Sequence, residues 1–108
     1  MTHGHCDHRI CSVLAYDAWL NLGRSCPLYY YEVMSGHQTS SFTPNHYVDI
    51  TPVLEKKHAA CFAHASQNIE KGYMNDHGQM EKFRGLEFTC DYAEAFVLHV
   101  QSPRAPVI

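Results

Sequence analysis

The chain has 108 residues, of which 45% are hydrophobic and 18% charged. That composition suits one small globular domain and excludes an intrinsically disordered chain. Eight basic against eleven acidic residues give a formal net charge of −3, which gives no electrostatic reason to bind nucleic acid or an anionic membrane.

No apolar run approaches the length of a membrane span. The start, Met1-Thr2-His3-Gly4-His5, has no basic-then-apolar signal segment, so a cytoplasmic location is expected. The elements follow in order. Asp7 to Leu22 reads as a helix, with Ile10, Val13, Leu14, Ala18 and Leu22 forming one apolar stripe. Asp7 can cap its start, and Gly23 follows its end. Cys26-Pro27 breaks the chain, and the aromatic, β-branched run Leu28 to Val33 reads as a strand. Met34 to Asn45 is loop in character, and Tyr47 to Ile50 is a short extended stretch. Thr51 is placed to cap a second helix with Pro52 at its first position. That helix runs to about Ser66 and buries Leu54, Cys61, Phe62 and Ala65. A third helix starts after Asn75-Asp76 and runs towards Phe88. Ala93 to Val100 is a continuous apolar stretch that suits a buried strand, and Gln101 to Ile108 reads as a tail.

The five cysteines, Cys6, Cys11, Cys26, Cys61 and Cys90, are odd in number and irregularly spaced, and no Cys-x-x-Cys occurs. A disulfide framework and a zinc ribbon are therefore not expected. Cys11, Cys26 and Cys61 lie among apolar neighbours and read as small buried hydrophobes. The nine histidines are the unusual feature. His5-Cys6-Asp7-His8 is the most concentrated set, two imidazoles and a carboxylate where a loop is expected to become a helix. Such a set offers a metal ligand, an acid or oxyanion stabiliser, and a carboxylate that fixes a ring tautomer. The bland alternative is a histidine-rich tail with Asp7 as cap.

The stretch from His5 through His8-Arg9 to Tyr16-Asp17-Ala18-Trp19 resembles the His-Pro-Asp-His segment of the PIG-L (LmbE-like) zinc-dependent N-deacetylases. Phe42-Thr43-Pro44 with Tyr47 to Thr51 is similar to the segment before that family's late helix. Leu54 to Gln67 resembles the helix itself, and Arg84-Gly85 with Tyr92 to Phe96 resembles the closing motif. The resemblance spans nearly the whole chain. It implies an α/β fold, the C-terminal portion of a Rossmann-like deacetylase, with a small mostly parallel sheet and flanking helices. Residues 1–108 would be a single partial domain. It implies hydrolysis of the N-acetyl amide of a small N-acetylglucosamine-type sugar conjugate by one zinc ion. His8 would be the zinc ligand, His5 the oxyanion stabiliser or proton donor, and Asp7 its partner. Gln38 and Thr39, in the long loop, are candidate substrate contacts.

Cys6 stands where the family has proline. The family's Ala-His-Pro-Asp-Asp motif, which brings two further zinc ligands and the general base, does not occur here. The expectation is a chain that binds zinc weakly or not at all and has little or no activity alone. It would self-associate or fill its exposed half-sheet with a missing N-terminal half. The alternative is a non-enzymatic remnant or binding module, with weak metal binding through His3, His5, Cys6 and His8. Four further readings are testable. His46 and Asp49 share a His-x-x-Asp spacing, with Asp49 read as structural. Glu94 is a carboxylate in an apolar strand, either in a cleft or paired with Arg84 or a helix end. Tyr29-Tyr30-Tyr31 could form a sugar-stacking platform but is read as at least half core, and Lys56 and Lys57 as a solvated helix face.

Overall fold

The computed structural model describes residues 3–32, 42–64, 72–73 and 76–103. Its elements are α1 (His3–Asn21), β1 (Tyr29–Tyr31), β2 (His46–Asp49), a 3-10 turn (Thr51–Val53), α2 (Leu54–Phe62), α3 (His77–Phe88) and β3 (Ala93–Leu98). The class is α/β. The strands form one sheet in the order β1-β3-β2. β2 pairs antiparallel with β3 in the register His46 to Phe96, Tyr47 to Ala95, Val48 to Glu94 and Asp49 to Ala93. The expectation of a mostly parallel, Rossmann-like sheet is therefore corrected. That expectation came with the family resemblance, and parallel neighbours need crossover connections. Instead α2 and α3 follow one another between β2 and β3, and the chain returns along β2 in the opposite direction.

The chain divides into two compact units, residues 1–30 with 97–108, and residues 31–96. In the first, α1 ends in a Schellman-type close. Gly23 adopts φ 68° and Arg24 φ 55°. The Gly23 amide donates to Leu20 O at 2.9 Å, and the Arg24 amide to Trp19 O at 3.1 Å. Gly23 thus stops the helix as its position implies. Among the described residues of this unit Trp19 is the buried one, at 4% exposure. Its indole N–H donates to Cys26 O at 2.6 Å, and its ring meets His99 edge-on at 5.1 Å between centroids. Tyr16 and Tyr30 flank the same imidazole at 5.6 and 6.0 Å. The expected burial of Cys11 and Cys26 is not found, since both are exposed. Cys26 spends its carbonyl on the indole while its thiol faces out. Of the tyrosine triplet, Tyr29 is half-buried, and Tyr30 and Tyr31 are exposed.

Among the described residues of the second unit Ile50, Tyr73, Ala93 and Ala95 are the buried hydrophobic ones. Ala93 and Ala95 alternate on one face of β3. The hydroxyl of Thr51 was expected to cap α2. It instead binds the Tyr92 backbone, accepting from its N–H at 3.1 Å and donating to its carbonyl at 3.3 Å. The helix entry is held by Asp49, whose Oδ1 accepts the Thr51 amide at 2.9 Å. Asp49 is therefore structural, as read, and hydrogen bonds from the Thr51 side chain and amide hold its carboxyl below the usual carboxylate range. α2 ends at Phe62 rather than Ser66. Leu54, Cys61 and Phe62 are half-buried, and Ser66 and Ala65 lie outside the described residues.

α3 occupies the predicted span, but its inward face is polar and small: Gly78, Glu81, Arg84 and Gly85 are buried. Gly85 is required by close approach, since a Cβ there would sit 2.6 Å from Asp91 O. The helix closes on Thr89 in the left-handed region, φ 60° and ψ 40°.

Candidate functional site

The first candidate is the set His5, Asp7 and His8. All three lie inside α1, because the helix begins at His3 and not at Asp7. Asp7 is therefore not its cap, and His5 is not in a loop. Positions 5 and 8 are three apart and share a helix side. Positions 5 and 7, two apart, do not face each other. Asp7 and His8 are exposed. The side chains of His3, His5 and Cys6, and all of Gln38 and Thr39, lie outside the described residues. Among the described residues no group of three or more His, Cys, Asp or Glu side chains could hold a metal ion.

The second candidate was not legible as a unit in the sequence. Glu81, on the inner face of α3, has a side chain 4% exposed and three donors. Lys57 Nζ and the Tyr73 hydroxyl each reach its Oε2 at 2.6 Å. His58 Nε2 reaches Oε1 at 3.0 Å. Lys57 also bridges to Glu94 at 2.6 Å. Burial alone would raise the Glu81 carboxyl, but the bonds from Lys57, Tyr73 and His58 outweigh it and hold it below the usual range. Burial and the neighbouring Glu81 carboxylate push the Tyr73 phenol far above its ordinary value. The lysine bridge raises the Lys57 ammonium despite its desolvation.

Glu81, Tyr73 and Lys57 are thereby held in their ordinary charge states near pH 7. The carboxylate is saturated with donors and the phenol stays protonated, so neither is poised as a base or nucleophile. The cluster joins α2 to α3 and β3. Lys57 is not the solvated lysine expected, while Lys56 is exposed. The partner of Glu94 is Lys57 rather than Arg84. Arg84 instead forks onto Glu32 with two bonds of 2.9 Å and reaches Glu87 at 2.6 Å. The one signal for this cluster was the lone carboxylate in β3.

The third candidate is a surface. α1 turns Trp19 inward and leaves its aliphatic residues outside. Ile10, Val13, Leu14 and Leu20, with Leu22 just past the helix end, are 42–64% exposed. Ile10, Val13 and Leu14 fall at i, i+3 and i+4 and form one continuous stripe, with Asp17 next along the same side. The predicted stripe exists, and it faces solvent rather than the core. Single exposed leucines are ordinary, whereas Ile10, Val13 and Leu14 expose a contiguous aliphatic face on the longest described helix.

Among the described residues no helix is long and apolar enough to cross a membrane. No family model, no curated protein and no solved structure matches the chain.

Proposed function

We propose that this chain is a non-catalytic association module that docks through the aliphatic face of α1. One observation carries the reading: α1 buries its Trp19 side and presents Ile10, Val13 and Leu14 to solvent. Apolar surface of this kind gains free energy when covered, at about 25 cal/mol per Å². The titratable cluster around Glu81 supports the same reading, because its groups are committed to one another. The reading places the chain in the cytoplasm. The four described cysteines, Cys11, Cys26, Cys61 and Cys90, are free thiols, in keeping with a reducing compartment.

The test is the double substitution Ile10→Ser with Leu14→Ser. A docking face predicts unchanged helix content by circular dichroism and a cooperative unfolding transition within about 1 kcal/mol of the parent. Loss of the transition would mean that the stripe is core and would end the reading.

The rival is the zinc-dependent N-deacetylase reading, with His8 on the metal and His5 and Asp7 at the reacting amide. It rests on the sequence resemblance and on positions 5 and 8 sharing a side of α1. Its test is zinc-dependent release of acetate from an N-acetylglucosamine conjugate, by the chain alone and by the chain mixed with the N-terminal half of a family member. Activity lost on His8→Ala would favour it over the association module.

A further inference from the structure

We infer that His99 is a proton-operated latch: its neutral ring holds the turn after β3 against the entry to β1, and acid releases it. The turn runs over residues 99–102 and is closed by the Ser102 amide, which donates to His99 O at 3.0 Å. It grips both backbone groups of Leu28, the residue just ahead of β1. The His99 amide donates to Leu28 O at 2.9 Å, and the Leu28 amide donates to Ser102 Oγ at 3.0 Å. A further bond steadies the turn from within: the Gln101 amide donates to His99 Nδ1 at 3.1 Å.

That last bond requires a bare Nδ1. An imidazole nitrogen accepts through its lone pair, and in the imidazolium both ring nitrogens are donors. A proton on Nδ1 sets one N–H against another, and the Gln101 bond is lost. Histidine is the side chain whose ordinary charge change falls between about pH 5 and 8. The surroundings of the half-buried ring decide which part then moves. Trp19 and Tyr16 of α1 and Tyr30 of β1 lie 5.1, 5.6 and 6.0 Å from it between centroids. Aromatic rings at this range attract a cation, so the ring stays and the turn gives way. The titratable groups facing it are the Tyr16 and Tyr30 phenols. Burial and the Tyr16 phenol push the Tyr30 phenol up, and phenols carry no charge in acid, so the imidazole is the group that switches. With the Gln101 amide released, Ser102 loses part of its placement and Leu28 loses protection for its amide.

The experiment is amide hydrogen exchange by NMR on the full chain at about pH 7.5 and about pH 5, expressed as protection factors, with the His99 ring titrated in parallel. Protection of the Leu28 amide is expected to fall about two- to tenfold, the worth of one hydrogen bond, with the midpoint of the His99 ring. The Ile50 amide, bonded to Tyr92 O at 3.0 Å in the other unit, is expected to keep its protection. His99→Asn supplies the control. An asparagine side chain bonds the backbone amide two residues on at any pH, so Leu28 protection in this variant is expected to be the same at both pH values.

Leu28 protection that stays constant while the His99 ring titrates overturns the latch. So does a fall that persists in His99→Asn, or one that Ile50 shares, since either would be a general loosening in acid. If the loss of the ring beside Trp19 unfolds His99→Asn, the comparison of Leu28 with Ile50 in the parent decides by itself.

Discussion

Replacing Glu81 by glutamine keeps the shape of the side chain and removes its charge. The best arrangement of the amide turns its oxygen towards Lys57 and Tyr73, now at 2.6 Å from Oε2, and its NH₂ towards His58 at 3.0 Å. His58 can then accept in its other tautomer. What is lost is the buried counter-charge, and Lys57 keeps only Glu94. Breaking a buried ion pair costs about 3–5 kcal/mol, and the retained hydrogen bonds reduce that to about 2–3 kcal/mol here. With a denaturant slope of about 1–3 kcal/mol per molar, the urea midpoint at pH 7 falls by about 1 M or more at unchanged slope. The outer end of the same bridge gives the control. Glu94 has a side chain 37% exposed, so Glu94→Gln costs under about 1 kcal/mol. If Glu81→Gln costs no more than Glu94→Gln, the buried carboxylate does not hold α2, α3 and β3 together and the reasoning fails.

Gly85→Ala would bring a Cβ to 2.6 Å from Asp91 O and 2.7 Å from Cys90 O. Both are backbone atoms that move only with the α3–β3 connection, so thermal unfolding should show a loss of about 1–3 kcal/mol. Thr89→Gly relieves a β-branched residue at φ 60°, and the same measurement should show a gain of about 1 kcal/mol. The Glu81 carboxyl is lowered in the folded chain. Its contribution is therefore complete above the unfolded value near pH 4.3 and is lost as pH falls through the folded value. Urea midpoints should decline below about pH 4–5, with a shallower decline in Glu81→Gln. The Tyr73 phenol is raised, so its contribution is complete below about pH 10 and lost as pH climbs through the folded value. In ultraviolet titration one tyrosine should resist ionisation until the chain unfolds.

Local rules found the elements that local rules govern. Gly23 past the end of α1, Pro52 ahead of α2, and Asn75-Asp76 ahead of α3 each mark a boundary through the backbone conformation they favour. The faces were harder to read. α1 has apolar residues on two sides, and periodicity alone does not say whether the aliphatic or the aromatic side is buried. Trp19 goes inward because the Cys26 carbonyl and the His99 ring satisfy both its N–H and its faces. α3 escaped the usual logic altogether, since it packs through Glu81, Arg84 and two glycines while Phe83 and Leu86 stay exposed. The Glu81 cluster joins Lys57, Tyr73 and Glu94 across long sequence separations, which no spacing rule reaches. In the set His5, Asp7 and His8, the residues were visible but the surroundings were not. The helix starts at His3, so the loop that would have brought His5 in from the side does not exist.

Which side of α1 faces inward decides whether the aliphatic stripe is open to docking, and the single tryptophan reports on it directly. Acrylamide quenching of Trp19 fluorescence should be strongly suppressed in native buffer, with blue-shifted emission, and should rise to that of an open indole only through the unfolding transition. Equal quenching in native buffer and in denaturant would place Trp19 outside and the Ile10–Leu14 stripe inside. It would contradict both the fold of α1 and the docking face built on it.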